Sequence, residues 1–266
     1  MNVIYFGLAA IALYITVAVQ TSEIARSSTG GPTLKSPTGI LALLAVAAHA
    51  FVLYPTTVTG AGINLGIFNA ASLVAWIVAV VVILSTWRRP LHSLGVVILP
   101  FAALILGLSL VFSHERLLPA AAPGIAMHVA LSVLAYSLFA IAALQAVYLA
   151  FAEHRLKSHE PLLGFLPPLT TMEQLMFELT GIAFLMLSAG LVIGGLYIED
   201  VRGQHLTHKI FFSALAWVVF AVLLVGRHHW KWRGRRAVKY VIASFVLLAI
   251  GFFGSKIALE LILHRA

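Results

Sequence analysis

Residues 67–112 read IFNAASLVAWIVAVVVILSTWRRPLHSLGVVILPFAALILGLSLVF, and this stretch decides the fold. It holds two apolar runs, 67–87 and 93–112, parted only by the tight turn Arg88-Arg89-Pro90-Leu91-His92. A helix rises ~1.5 Å per residue, so a run of about 20 residues crosses the ~30 Å hydrocarbon core of a bilayer. The stretch therefore predicts two consecutive membrane spans joined by a basic turn.

Working outward, the same pattern recurs at 3–20, 39–54, 125–152, 171–198, 209–227 and 238–260, giving eight spans with the pair above. The second run is short. Gly and Pro mark the breaks: Gly30-Gly31-Pro32, Pro55, Gly60-Ala61-Gly62, Pro119, Pro123-Gly124 and Pro167-Pro168. Thr170 lies three residues before Glu173, the spacing of a capping box, so the sixth helix is expected to start there, outside the bilayer. The chain shows no long repeat, no low-complexity tract and no separating linker. The expected fold is all-α, a polytopic transmembrane helix bundle of about eight spans, with residues 1–266 forming a single transmembrane domain.

Composition agrees. Hydrophobic residues make up 61% of the chain and charged residues 10%, against roughly 25% charged in soluble domains. Cys is absent, which removes disulfides, zinc–thiolate sites, iron–sulfur clusters and thiol catalysis. The N-terminus lacks the charged start and small-residue cleavage site of a secretory signal, so the first apolar run is expected to be retained.

A net charge of +8 raises nucleic acid as a partner, but the basic residues form no binding face. They sit in short loops between spans, so the expected surroundings are a lipid bilayer and no nucleic acid. Arg26, Lys35, Arg88, Arg89, Arg155, Lys157 and six more between Arg227 and Lys239 follow spans one, three, five and seven. The opposite side holds only Arg116, Arg202, Lys209, Lys256 and Arg265. The positive-inside rule then places the odd loops in the cytoplasm and both termini outside, in the periplasm for a Gram-negative inner membrane.

Eleven histidines remain to be explained, and two of them, His49 and His128, lie within apolar runs. A polar ring in a span is costly, so it marks a functional-site hypothesis. His128 falls ~5 Å below the outer end of span five and His49 ~7 Å from the same surface, so the two imidazoles could face one another. Paired neutral imidazoles are a standard way to hold a six-coordinate haem iron. The competing reading of His128 is a helix-start residue bonded to a loop carbonyl. For His49 it is an interhelical hydrogen bond to Ser, Thr or Tyr. His228 and His229, within Arg227-His228-His229-Trp230-Lys231-Trp232-Arg233, read as a solvated basic interfacial loop, and His154 and His159 as ordinary loop residues. Lys256 and Glu260, spaced i, i+4, form either a buried pair or two snorkelling chains. No Gly-rich phosphate loop, H-E-x-x-H or G-x-S-x-G motif occurs, so the sequence gives no sign of an enzyme in its own right.

Several short motifs are shared with one family. They are His128-Val129 followed by Ala135-Tyr136, Lys209 with Trp217 eight residues on, and Trp232-Arg233-Gly234-Arg235-Arg236-Ala237. To these are added Phe68-Asn69-Ala70, Leu166-Pro167-Pro168-Leu169 with Met172-Glu173, and Phe253-Gly254-Ser255-Lys256. On these the chain resembles the cytochrome c assembly proteins (the CcsA/CcmC/HemX-like group), and within them the eight-span YpjD-like branch. The resemblance implies an inner-membrane, haem-handling protein with haem b as cofactor and cytochrome c maturation or other membrane proteins as partners. It implies His128 as an outer-face haem-iron ligand.

The chain also departs from the family. Aligned on Lys209, residues 206–210 replace a W-D-P-K-E stretch, and no Trp lies between 196 and 208. His208 is a new histidine inside that loop. His264 sits near the family's second outer histidine but a few residues late. The ligand candidates are therefore His128, His208, His49 and His264, with His128 and His208 first for the iron. Two functions stay open: a haem-binding, haem-handling protein, or a regulatory or structural membrane subunit that acts through partners. A transporter built on Lys256 and Glu260 would need broken helices or inverted repeats, and no convincing repeat is found.

Overall fold

Among the described residues, eight helices follow one another, each long and apolar enough to cross a membrane. They are α1 (Asn2–Arg26), α2 (Pro37–Thr57), α3 (Ile67–Ser85), α4 (His92–Val111), α5 (Pro123–Lys157), α6 (Leu169–Tyr197), α7 (Thr207–Trp230) and α8 (Gly234–Ala249). A five-residue π-helical turn, Ile250–Gly254, prolongs α8. The computed structural model describes residues 2–26, 36–60, 62–85, 92–112, 117–118, 123–158, 168–197 and 207–254. His114, His159, His205, Lys256, Glu260 and His264 lie outside them. The all-α polytopic membrane bundle expected from the sequence is what the chain forms.

The helices divide into two compact units, Met1–Ala120 with Leu163–Pro167, and Ala121–Leu162 with Pro168–Ala266. In the first unit α1 packs on α2 and α4, and α3 packs on the same two, closing a ring of four. Lipid tails are as apolar as leucine, so burial alone does not drive such helices together; close van der Waals approach does. The core is accordingly small-sided: Ala18, Ala42, Ala45, Ala75, Ala79 and Ala102 are all buried. Helix α2 is longer than expected at both ends. The Ser36 side chain accepts from Gly39 N–H at 3.2 Å and Pro37 opens the helix, satisfying an otherwise orphaned amide.

A small antiparallel ribbon is formed by β1 (Val58–Thr59), β2 (Gly62–Asn64) and β3 (Leu117–Leu118). Its backbone groups pair with one another instead of meeting lipid. Asn69 anchors it, with Nδ2 2.6 Å from the Asn64 carbonyl and 3.1 Å from Thr57 Oγ1.

In the second unit α5 packs on α6 and α8, and α7 on α6 and α8, again a ring of four. Ala135, Phe139, Ala142, Ala146 and Leu149 on α5 are buried at alternating steps of four and three residues. On α6, Met172, Met176, Leu179, Ala183, Leu187, Gly190 and Gly194 are likewise buried at steps of three or four residues. Residues at that spacing share one face of each helix. Phe139 stacks on Phe220 of α7 with ring centroids 3.8 Å apart. Tyr136 meets Phe245, Phe252 and Phe253 at 5.3–5.6 Å, fixing α5 against α8 and the π turn.

Two local expectations are corrected. Helix α6 begins at Leu169, so Thr170 is already helical, and the Glu173 carboxylate takes the Arg227 guanidinium at 3.1 Å. A nearby cation outcompetes a neutral backbone amide for a carboxylate. His228 and His229 belong to the last turn of α7 and not to a loop, since the helix runs three residues past the expected Arg227 end to Trp230.

Candidate functional site

His49 lies at the centre of the first unit, with no exposed surface. Its Nδ1 is 3.1 Å from Tyr14 Oη on α1 and its Nε2 3.0 Å from Ser72 Oγ on α3. Ser109 of α4 donates to the Leu106 carbonyl at 2.8 Å, leaving a lone pair toward Ser72 Oγ 3.4 Å away. A neutral imidazole donates from one nitrogen and accepts at the other, and hydroxyls do either, so the ring is satisfied in both tautomers. One polar side chain from each of the four helices thus joins a single chain. Each link is worth on the order of 0.6 kcal/mol in a membrane protein. This arrangement fixes helix register and leaves the imidazole no free nitrogen.

His128 is placed differently. It is half-buried near the start of α5, five residues after Pro123, and its Nδ1 lies 2.6 Å from the Gly190 carbonyl on α6. A carbonyl only accepts, so Nδ1 carries the proton and Nε2 holds the lone pair. Among the described residues no group bonds that Nε2. A metal-ligating histidine characteristically donates its other N–H to a carbonyl or carboxylate, which fixes tautomer and ring orientation.

The room for the ring comes from glycine. A Cβ on Gly194 would stand 2.7 Å from both Cε1 and Nδ1 of His128. One turn earlier a Cβ on Gly190 would meet Ser132 Oγ at 3.5 Å, in ordinary contact. His128 and Ser132 therefore seat on Gly190 and Gly194, a small-x-x-x-small pair. Farther along α6, Ser188 accepts from the Trp217 indole N–H at 2.8 Å, and Phe184 stacks on that indole at 5.4 Å. The Lys209–Trp217 segment is thereby tied to α6, the helix whose Gly190 carbonyl accepts from His128.

The remaining candidates divide plainly. His208 is exposed in the first turn of α7, with no bonding partner among the described residues. His264 lies outside those residues, and His49 belongs to the other unit. At the basic end His228 and His229 are exposed and contact each other edge to face at 5.0 Å. Trp230 stacks on Trp232, whose ring covers Gly226. Arg227 lies 4.5 Å over the Phe177 ring while it pairs with Glu173. Among the described residues no three His, Cys, Asp or Glu side chains come together as a metal-ion cage.

Sequence reasoning missed Tyr14, Ser72 and Ser109 around His49, and Gly190 with Gly194 around His128. The hydroxyls were visible as lone polar residues inside apolar runs, and the glycines as a G-x-x-x-G step in Gly190-Leu191-Val192-Ile193-Gly194. What was not visible was which helix each would meet.

Residues 37–263 match the model of the family described as cytochrome C assembly protein. The chain belongs to the cytochrome c assembly family. Its place is on the YpjD-like branch: it is 33% identical over 229 residues to the inner membrane protein YpjD of Escherichia coli K12, covering 84% of this chain and 86% of that one. An uncharacterized 28.8 kDa protein of Azospirillum brasilense is 31% identical over 77% of each chain. The cytochrome c biogenesis protein CcsA of Guillardia theta is 23% identical over 71% of each. No solved structure matches the chain. The family match runs from α2 to beyond α8, so it takes in His49 and His128 alike but not α1.

Proposed function

We propose that this member of the family is a haem-handling protein of the bacterial inner membrane, acting in cytochrome c assembly, with His128 as one axial ligand of haem b. The observation that carries the reading is the hydrogen bond from His128 Nδ1 to the Gly190 carbonyl, which leaves Nε2 as a lone pair with no protein partner among the described residues. A haem iron already has four porphyrin nitrogens and asks the protein for one or two more, so the lack of a three-residue cage is no obstacle. When bound, the haem supplies the redox-active iron. The chain's own residues do the rest: Gly194 makes room for the imidazole, Gly190 orients it, and Trp217 with Phe184 offers flat aromatic surface on α6 and α7. His208 and His264 stand as second-ligand candidates. His49 ranks below them because both of its nitrogens are committed. Maturation factors or other membrane proteins would be the partners, within one transmembrane domain of both units.

A reduced-minus-oxidised spectrum of the protein purified in detergent tests the reading. The wild type should give a haem signal. His128→Ala should abolish it or convert low-spin to high-spin, with protein level unchanged, while the His228→Ala/His229→Ala double variant should keep it. An unaltered low-spin spectrum in His128→Ala would remove the assignment.

Orientation belongs to the same proposal, with both termini outside. Alkaline phosphatase fused after His114 or Asp200 should be active, and fused after Arg89 or Arg236 inactive. A second reading, a regulatory or structural subunit without haem, is favoured by the absence of Trp between residues 196 and 208. A wild type that stays colourless after cofactor supplementation would select it.

A further inference from the structure

At the basic end of the second unit, three helix ends meet around a groove that the haem-handling reading does not use. Its volume is about 420 Å³, within the range of small-ligand sites. Glu153 and Lys157 come from the last turns of α5, Leu169 opens α6, and Arg233 and Arg235 flank the start of α8, with Leu156 completing an apolar wall. Three cations thus face one carboxylate.

The charges are available. Arg233 Nε is 3.8 Å from Glu173, but Arg227 already holds that carboxylate at 3.1 Å, and the Arg233 side chain stays 68% exposed. Arg233 caps α8 without a side-chain hydrogen bond, and no acid sits in the first helical turn. The Glu153 carboxylate lies at that helix start, where a Cβ on Gly234 would stand 2.8 Å from its Oε1, so it offsets the positive end of the helix dipole and leaves the three cations to set the sign of the groove.

The depth is set by aromatic residues. Trp230, 65% exposed and stacked on Trp232, ends α7 three residues before Arg233. Exposed Trp at the end of a span sits at the lipid headgroup level. A basic groove at that level, walled by Leu156 and Leu169, is suited to a phosphodiester carried on an apolar tail more than to a free ion. We propose that this groove seats the phosphate headgroup of an anionic phospholipid.

Native mass spectrometry of the full-length protein, delipidated in detergent, tests this without any haem readout. Phosphatidylglycerol should be retained at one per chain with roughly tenfold higher occupancy than phosphatidylcholine at equal concentration. Lys157→Gln with Arg235→Gln should bring retention down to the phosphatidylcholine level at an unchanged melting temperature. Glu153→Gln should raise retention, a gain that misfolding cannot imitate. Inorganic phosphate in excess should not displace the lipid. Equal retention of the two lipids, or no response to any of these variants, would overturn the proposal. Displacement by phosphate would overturn it in favour of a free-anion site.

Discussion

His49 and His128 are the same residue type in the same kind of helix, yet the two four-helix units treat them oppositely. In the first unit His49 is sealed, with a hydroxyl on each ring nitrogen and one polar residue drawn from each helix. In the second, His128 has one nitrogen tied to a backbone carbonyl and the other unclaimed among the described residues, against two glycines where helices approach closely. An imidazole bonded twice by its own protein is a structural element. One bonded once, with its tautomer fixed, keeps an acceptor nitrogen that no described residue bonds. The cost of burying a polar ring is met at both nitrogens in the first case and, among the described residues, at one in the second.

The sharpest way to break this contrast is to remove His49. His49→Ala opens a cavity and strands Tyr14 and Ser72 hydroxyls, which should cost roughly 2–5 kcal/mol. Thermal melting in detergent should show the drop, while the folded fraction keeps the haem absorbance of the wild type. A stable His49→Ala protein that lost its haem would reverse the roles of the two histidines. Next comes Gly194→Ala, which puts a methyl 2.7 Å from the His128 ring. A shift of ~1–3 kcal/mol is expected from that overpacking, with loss of haem signal at protein levels near wild type.

Smaller effects sharpen it further. Trp217→Phe keeps the stack on Phe184 and deletes the hydrogen bond to Ser188, so stability should fall by only about 0.6 kcal/mol. Its haem occupancy should fall if the α6–α7 tie positions the His128 site, and an unchanged spectrum would confine Trp217 to packing. Last, Lys231 adopts φ 53°, a left-handed conformation that costs a non-glycine residue about 1 kcal/mol. Lys231→Gly should leave both histidine centres untouched and raise the melting temperature slightly. A lowered one would mean that the Lys231 side chain carries the basic turn.

The apolar runs alone determined that the chain is an eight-span membrane bundle, because a bilayer demands about 20 apolar residues per helix and little else competes for them. His128 was legible for the same reason, a costly ring in an apolar stretch, and so was the bonding expected of His49 to Ser or Tyr. The extent of α7 was not legible, because Arg227-His228-His229 reads as a loop until Glu173 and Phe177 on another helix supply partners for Arg227. Nor was the division of labour between the two histidines. Sequence spacing shows which residues share a face of one helix, but whether an imidazole has one bond or two depends on the helices packed against it. Tyr14 and Ser72 stand 35 and 23 positions from His49, and Gly190 stands 62 from His128. Only the packing of small residues in each ring brought those atoms within 3.1 Å, and with that it decided which histidine is bonded at both nitrogens and which, among the described residues, at one.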